Sequence, residues 1–384
     1  MLRFFADEDD DVSLAVCPFT YEYIATVKQL NPMSDAQRNN VVQILHACVS
    51  KMKYDPDYDF DGEGEGEVEF LAYRKELKVI FDFVAKLDPD LIMRTVHGLV
   101  ISTLNQWHAA NFGEVEVAIR LLYNMAEALP TVGGAYFTGD TEKARAMVEM
   151  MSTLIASGVS RHDHHAVVMQ YFETVVRYAR FFSTNMAALP DVLVSFIDER
   201  GLRHRDPKVR GRVSYLFTRF VKEVKPLLHD YVEDILERIK DLLVIRPPAS
   251  APIVAHREPK PHGVKEVLRN GTGSNRPSPS PSPSPGGGGV DAAHQLHPED
   301  QAYIFEVASV LIVSGQFTTD KKQSLMHNLL SPIVTQFGPL MRQMETIEDE
   351  EHQSAFAECL VNAVTFATRV SKAFSNQQTM KMCG

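Results

Sequence analysis

Cysteine is scarce and scattered in this 384-residue sequence. The four cysteines, Cys17, Cys48, Cys359 and Cys383, show no CxxC spacing, so they indicate neither a disulfide framework nor a zinc site and favour a reducing compartment. Long apolar runs are also absent, since no stretch approaches the ~18 unbroken apolar residues of a membrane span. The opening MLRFFADEDDD is acidic where a signal peptide would be basic. These absences argue against secretion and against membrane insertion.

The motifs of common enzyme classes are missing as well. The sequence has no Walker loop, no GxGxxG after a strand, no GxSxG and no HExxH. The GGGG run at 286–289 lies in a low-complexity segment with no strand before it, so it cannot cradle a phosphate. We therefore expect a protein that is not an enzyme and that has neither a cofactor nor a small-molecule substrate.

Basic residues are outnumbered by acidic ones. The chain has 39 Lys and Arg against 50 Asp and Glu, which gives a formal net charge of -11. Nucleic-acid binding depends on Lys and Arg that displace counterions from phosphates. A nucleic-acid role would therefore need a local basic patch, because the surface as a whole is acidic.

Apolar side chains recur at helical spacing in DPKVRGRVSYLFTRFVKEVK, which begins at Asp206. They form one broad stripe that predicts an amphipathic helix: Val209, Val213, Leu216, Phe217, Phe220, Val221 and Val224. Pro226 then stands where a second helix would begin, and the stripe repeats through LLHDYVEDILERIKDLL. The pair predicts a hairpin of about 40 residues, which is the period of HEAT and armadillo repeats.

Helical periodicity continues on both sides of this hairpin. It can be followed upstream from residue 11 and downstream of residue 298, and a period of two is never sustained. The predicted fold class is therefore all-α, a HEAT-repeat solenoid of antiparallel helix pairs over residues 1–245 and 298–384. Because the pattern starts almost at the first residue and a helix stops just before the last ones, we expect the chain to be part of a longer protein.

Two segments interrupt the helical pattern. In DPDYDFDGEGEGEVE, acids occupy the odd positions from Asp55 to Glu69 and three glycines intervene, so residues 55–67 are predicted to form an exposed loop without helix at least through Gly66. Residues 246–297 include SNRPSPSPSPSPGGGGV, whose composition cannot offset the entropy of ordering. This insert is predicted to be disordered.

Three groups of residues could carry chemistry, and each also has a purely structural interpretation. The acidic loop lacks the spacing of a calcium site, so it is either a solvated surface or a docking surface for a basic partner. His162, Asp163, His164 and His165 resemble a metal cluster, but adjacent residues at a helix start point in different directions, which favours a polar turn with Asp163 near the N-cap. GLRHRDPKVRGR is the densest basic cluster, and it is either an ordinary HEAT turn or a phosphate-binding patch.

Several long, irregular strings carry more information than helical periodicity does. They include YFETVVRYARFF at 171–182, DERGLRHRDPKVRGRVSYLFTRFVKEVK at 198–225, EDILERIKDLL at 233–243 and QAYIFEVASVLIV at 301–313. Together with the opening FFADEDDDVSLAVCPFTYEYI, with FLAYRKELKVI after the acidic segment and with the final RVSKAFSNQQTMKMCG, they resemble the exportin-T (tRNA exportin) family of importin-β-like karyopherins. The resemblance covers nearly the whole chain except the insert.

The resemblance implies a nuclear export receptor that binds mature tRNA cooperatively with the GTP-bound small GTPase Ran. Such a receptor would contact nuclear pore proteins, shuttle between nucleus and cytoplasm, and release its cargo when Ran hydrolyses the GTP. The GTP would be bound by Ran. The amino-terminal repeats that would form the main Ran-binding region are missing here, and the insert is not part of the family pattern.

Two site hypotheses follow from the resemblance together with the charge pattern. Five residues of the basic cluster are expected to contribute to a tRNA phosphate surface: Arg203, Arg205, Lys208, Arg210 and Arg212. Six residues of the acidic loop are expected to face the basic side of Ran: Asp57, Asp59, Asp61, Glu63, Glu65 and Glu67. No metal site and no catalytic residue is predicted.

Composition by itself leaves other classes open. A HEAT scaffold or a protein-cargo transport receptor would show the same helical pattern, but it would bind its partner without RNA. A metal-dependent enzyme that uses the histidine cluster would carry stoichiometric metal after purification. The cargo and the metal content are therefore the observations that separate these classes.

Overall fold

The computed structural model describes residues 1–30, 32–56, 58–60, 64–129, 136–245, 296–346 and 350–374. The predicted disordered insert 246–297 lies outside the described residues except for its last two, Leu296 and His297. Leu296 is buried, and His297 is the residue that precedes the first turn of the next helix.

Fifteen α-helices and no strand lie in these ranges, in agreement with the predicted all-α class. Several short 3-10 helices connect them. The α-helices are Leu2–Phe5 (α1), Asp10–Ala15 (α2), Cys17–Gln29 (α3), Asp35–Lys51 (α4), Glu65–Leu87 (α5), Pro89–Asn105 (α6), Phe112–Ala128 (α7), Glu142–Ala156 (α8), His165–Arg177 (α9), Leu189–Ile197 (α10), Pro207–Val224 (α11), Val232–Ile239 (α12), Pro298–Ser314 (α13), Thr319–Thr346 (α14) and Glu350–Ser371 (α15).

Side-chain caps set the start of many of these helices. Ser34 and Gln37 form a reciprocal capping box at α4. The carboxylate of Asp88 accepts a hydrogen bond from the Leu91 amide at 2.9 Å, and the Asn111 side chain accepts one from the Glu114 amide at 2.9 Å. Because each cap satisfies an amide that the helix leaves unpaired, the local sequence determines where these helices begin.

Six helices, α5, α7, α9, α11, α13 and α15, contact one another in chain order and form one layer, which we call the odd layer. A second set of helices packs against the odd layer. Of these, α4, α6, α12 and α14 each contact at least one odd-layer helix, and α8 packs beside α6. We call this set the other layer. Each pair of helices thus buries its apolar face against the neighbouring pairs, as expected for a repeat solenoid. The predicted helical-repeat architecture is confirmed.

Aromatic rings join α9, α10 and α11 in the core. Phe196 of α10 lies 4.6 Å from Phe172, 5.3 Å from Phe217 and 5.0 Å from Phe220 between ring centroids. Phe182, just after α9, meets Phe220 edge to face at 5.4 Å. The apolar stripe predicted on α11 is buried throughout, so the amphipathic pattern placed this helix correctly.

The predicted extent of the acidic loop was wrong at its carboxyl end. The loop was expected to continue at least through Gly66, but α5 begins at Glu65 and includes Gly66 and Glu67. Acidic side chains are favourable in the first turn because they interact with the positive end of the helix dipole. In this first turn, the favourable interaction with the helix dipole therefore outweighed the repulsion among the acids.

Throughout the described ranges, every helix is either too short or too polar to cross a lipid bilayer.

Candidate nucleic-acid interface

The basic cluster lies on the turn between α10 and α11 and on the first turns of α11. The turn is tight, because a Cβ at Gly201 would lie 2.3 Å from the carbonyl oxygen of Phe196. Arg203 donates to the Arg238 carbonyl and to the Asp241 carboxylate, both at 2.7 Å. The Arg210 side chain is buried and donates to the carbonyl of His204 at 2.7 Å. These two arginines hold the turn together, as in the structural interpretation of the cluster.

The other three cluster residues are exposed and lie at the start of α11. Arg205 and Lys208 lie at the amino-terminal end of α11, where the Lys208 ammonium is 3.5 Å from the carbonyl oxygen of Phe60. Arg212 lies one turn further along and donates to the Glu173 carboxylate at 2.6 Å. Two of the five side chains therefore hold the turn and three are exposed, and the role of the cluster in RNA binding stays a prediction.

Part of the acidic loop can be placed. Asp57, Asp61 and Glu63 lie outside the described residues. Asp59 and Glu65 are exposed, and Glu67 is half-buried in the first turn of α5. The predicted contact of the loop with Ran stays a prediction.

Phe60 attaches the acidic loop to the amino-terminal end of α9. Its ring centroid lies 4.8 Å from that of His164 and 4.8 Å from that of His165, edge to face in both cases. His164 in turn stacks on Phe112 of α7 at 3.8 Å. This aromatic cluster, together with Lys208, brings the acidic loop next to the basic cluster, although the two are far apart in sequence.

The histidines act as turn and cap residues. The His162 ring accepts a hydrogen bond from the His164 amide at 2.9 Å, and the His164 ring caps α9 by accepting one from the Ala166 amide at 3.2 Å. His164, and not Asp163, is the N-cap residue. In the part of the chain that the structure describes, no three potential metal-ligating side chains are grouped around a common point.

The contact between Phe60 and His164 is expected to weaken as pH falls. Burial, and then the nearby His165 and His162, lower the pKa of His164 from 6.5 to about 4. Because the unfolded chain binds the proton more readily, the folded arrangement loses stability as pH falls from about 6.5 towards about 4. Hydrogen exchange of residues 58–60 and 164–168, corrected for intrinsic rates, should show lower protection at pH 5 than at pH 7.

The substitution His164→Phe provides the control, since a phenyl ring can stack on Phe112 but cannot bind a proton. Its protection should change much less between the two pH values. If the variant and the unsubstituted chain show the same pH dependence, protonation of His164 is not the cause.

The odd layer exposes further basic residues, and among them only Arg212 was predicted from the sequence. We define the odd-layer face as the solvent-facing side of α7, α9 and α11, with the residues Arg120, Tyr123, Arg177, Arg180, Arg212, Tyr215, Arg219 and Lys222. The Arg177 guanidinium lies 3.8 Å from the centroid of the Tyr123 ring, and Arg212 and Arg219 flank Tyr215 at 5.1 and 5.9 Å. Basic residues interleaved with aromatic rings are typical of RNA-binding surfaces.

Carboxylates position the basic side chains on this face. Glu127 pairs with Lys78 at 3.0 Å and with Arg177 at 2.8 Å. Burial opposes ionisation of Glu306, but hydrogen bonds from Lys222 and Arg369 hold the pKa of its carboxyl below the ordinary value. Ion pairs therefore connect α5 with α7 and α9, and α11 with α13 and α15. Such pairs orient the cations, and at an exposed site a phosphate can replace the carboxylate at small cost.

The spacing on α11 was the signal that could have revealed this face. Arg212, Tyr215, Arg219 and Lys222 recur three or four residues apart, opposite the buried apolar stripe. This surface is assembled from three helices, so its cations are not dense along the chain. Its members on α7 and α9 could be assigned to the same face only after the helices were packed.

The amino-acid sequence is similar to that of known proteins. The sequence model of the Exportin-T family matches residues 1–256. Exportin-T of Homo sapiens is 43% identical over 384 residues, which cover 100% of this chain and 36% of that protein. Exportin-T of Danio rerio is 42% identical over the same shares, and Exportin-T of the fungus Botryotinia fuckeliana is 30% identical over 254 residues, 64% of this chain and 25% of that one.

These similarities agree with the resemblance carried by the quoted strings. The family match extends over the acidic loop, the histidine turn and the basic cluster, and the vertebrate relatives also align with the helices after the insert. The chain spans about a third of the length of these vertebrate relatives, 36% in both. The chain belongs to the exportin-T family.

Proposed function

We propose that this chain is part of a nuclear export receptor for tRNA that binds tRNA cooperatively with Ran-GTP. The observation that supports an RNA-binding role most directly is the odd-layer face, where arginines from three helices alternate with tyrosines. Arginine donates two parallel hydrogen bonds to phosphate, and tyrosine contributes stacking surface. Because the chain belongs to the exportin-T family, we expect the RNA to be tRNA.

The way the helices stack fits this function. Structured RNA is bound through its shape, its phosphates and its 2′-hydroxyl groups, which requires contacts spread over a long surface. A solenoid offers such a surface, and small movements between neighbouring repeats can couple the binding of two ligands. The binding free energy would be distributed over many weak contacts, and Arg205, Lys208 and Arg212 would contribute at one end of α11.

The protein partners belong to the same proposal. The acidic loop, with Asp59, Glu65 and Glu67 among its described residues, would attract the basic side of Ran and increase the rate of association. Contacts with nuclear pore proteins and shuttling between nucleus and cytoplasm would follow from the transport role. The GTP would be bound and hydrolysed by Ran, so the receptor itself would use no cofactor.

Neutralising the exposed part of the basic cluster tests the RNA contact. In the triple variant Arg205→Gln, Lys208→Gln and Arg212→Gln, we expect weaker tRNA binding and a salt dependence that is reduced by about one logarithmic slope unit per lost phosphate contact. Binding should be measured by filter retention over a range of salt concentrations, with and without Ran-GTP, for the variant and the unsubstituted chain.

Three exposed basic residues on the other layer provide a matched control. The triple variant Arg38→Gln, Arg94→Gln and Lys143→Gln changes the net charge equally, on α4, α6 and α8. It should leave the salt dependence of tRNA binding almost unchanged. If both triple variants lower binding equally, the effect reflects net charge, and the assignment of RNA to this end of α11 is wrong. If the unsubstituted chain binds no tRNA under either condition, the RNA-binding role of this part of the receptor is wrong.

A further inference from the structure

A cleft opens in the odd-layer face between α7, α9 and α11. Its volume is about 450 Å³, which lies within the range of about 300–1,000 Å³ typical of small-ligand sites. Its lining includes Tyr123, Tyr136, Arg177, Arg180, Arg219 and Glu223. The cleft therefore combines guanidinium groups, tyrosine rings and carboxylates in a space that one small polar ligand could fill.

The aromatic walls of the cleft are held in place. The Tyr136 hydroxyl lies 2.9 Å from the carbonyl oxygens of both Ala126 and Leu129 and shares its one hydrogen between them, and its ring meets that of buried Tyr178 edge to face. Arg177 covers the Tyr123 ring and is paired with Glu127 at 2.8 Å. Because these side chains are fixed by their own contacts, they lose little conformational freedom when a ligand enters.

The charges of the cleft are mixed. Arg180 and Arg219 are exposed at its edge, while Glu173 and Glu223 contribute carboxylates to the same lining. An inorganic phosphate would meet both signs of charge and gain little. A ligand that joins an anionic group to hydroxyl or amino donors and to a flat ring would satisfy the arginines, the carboxylates and the tyrosines together.

We propose that this cleft binds one unpaired nucleotide of RNA. Its phosphate would contact Arg180 and Arg219, its base would stack against the Tyr123 and Arg177 side, and Glu223 would accept a hydrogen bond from the ribose. The inference rests on the proposed function, because it assigns one site to the RNA that the odd-layer face binds. It goes further in requiring an unpaired nucleotide, since a base within a duplex is stacked and paired and cannot enter a cleft of this size.

The double variant Arg180→Gln and Arg219→Gln tests the site. The probes are a fluorescent single-stranded RNA pentanucleotide, the DNA pentanucleotide of the same sequence and a blunt-ended RNA duplex. Loss of two charge-assisted contacts should weaken binding of the RNA pentanucleotide at least about tenfold. Binding of the blunt duplex, which offers phosphates but no unpaired nucleotide, should weaken several-fold less, because it loses only phosphate contacts of the odd-layer face.

The role of Glu223 is tested separately with Glu223→Ala. Since Glu223 is assigned to the ribose, this variant should bind the DNA pentanucleotide as well as the unsubstituted chain does but should lose preference for RNA. The pair Arg38→Gln and Arg94→Gln, on the other layer, is the control for net charge. Thermal denaturation followed by circular dichroism verifies that each variant is folded before its binding is interpreted.

The outcomes separate this site from the proposed function. If the unsubstituted chain binds the blunt duplex with salt-dependent affinity, but the cleft variant and the control variant bind the pentanucleotide equally, the cleft does not hold a nucleotide and the RNA-binding function stands. If no RNA probe binds the unsubstituted chain, the proposed function and the site fail together. Selective loss of pentanucleotide binding in the cleft variant supports the site.

Discussion

Replacing Glu116 with alanine is expected to lower the free energy of unfolding of the region around α5 and α7 by about 3–5 kcal/mol. The Glu116 side chain is 1% exposed, and that of Arg74 is 6% exposed. The two form a bidentate pair, with the shorter of its two bonds at 2.6 Å, and Arg120 donates to the same carboxylate at 2.6 Å. Removing the carboxylate leaves the Arg74 guanidinium buried without a counter-charge, which is the costly step.

The environment of Arg74 extends the effect to the acidic loop. Its guanidinium lies 4.0 Å from the centroid of the Tyr54 ring, and Tyr54 packs against Phe60 at 4.8 Å. Loss of the ion pair should therefore lower protection from hydrogen exchange in α5 and α7 and also around residues 58–60. Helices α13 to α15 should keep their protection, because the repeats of a solenoid contact only their neighbours.

The double variant Arg74→Met with Glu116→Leu is the control for this prediction. Because a buried ion pair is costly to desolvate, replacing both partners with apolar side chains of similar size should recover most of the lost stability. Urea denaturation of the unsubstituted chain, the single variant and the double variant measures the comparison. A loss below about 1 kcal/mol in Glu116→Ala would contradict the prediction, since it would mean that Arg74 can reach water.

Replacing Phe220 with alanine is expected to cost about 3–5 kcal/mol in the region of α9 to α11. The ring is fully buried and contacts Phe196 and Phe182, so the substitution removes ring packing and leaves a cavity that three helices surround. Side chains fixed on separate helices cannot collapse fully into that space.

Two further variants serve as controls for the loss of stability in Phe220→Ala. Phe220→Leu keeps much of the apolar volume and should cost clearly less than the alanine variant. Phe19→Ala removes the same ring from α3, where it is 60% exposed, and surface substitutions of this kind change stability by no more than about 0.5 kcal/mol. Equal destabilisation by Phe220→Ala and Phe19→Ala, measured by urea denaturation, would show that the core assignment of Phe220 is wrong.

The helices of this protein were largely predictable from local sequence. The stripe on α11 from Val209 to Val224 is buried as expected, and Asp206 caps that helix by accepting a hydrogen bond from the Lys208 amide at 2.8 Å. Amphipathic periodicity and caps are encoded within a few residues, which is why both could be predicted without knowledge of the fold. The start of α5 was misplaced by two residues because the helix dipole stabilises Glu65 and Glu67.

The candidate sites were less predictable. Density along the chain drew attention to Arg203 and Arg210, yet both side chains are used to hold the turn before and at the start of α11. The arginines of the odd-layer face are widely spaced in sequence and lie on α7, on α9 and the short 3-10 helix after it, and on α11, so no local pattern joins Arg120 to Arg177 or to Arg219. The attachment of Phe60 to His164 is also a contact between distant segments.

The sequence by itself determined the all-α class, the buried stripe of α11 and membership of the exportin-T family. All of these depend on periodicity, capping and long strings of residues, and they can be read without knowing which helix packs beside which. Only the tertiary structure decided which cations hold the fold and which reach solvent, where the acidic loop is attached, and that a cleft with three arginines opens between α7, α9 and α11. Burial and charge pairing are properties of the packed layers, because each depends on side chains that helix stacking brings together.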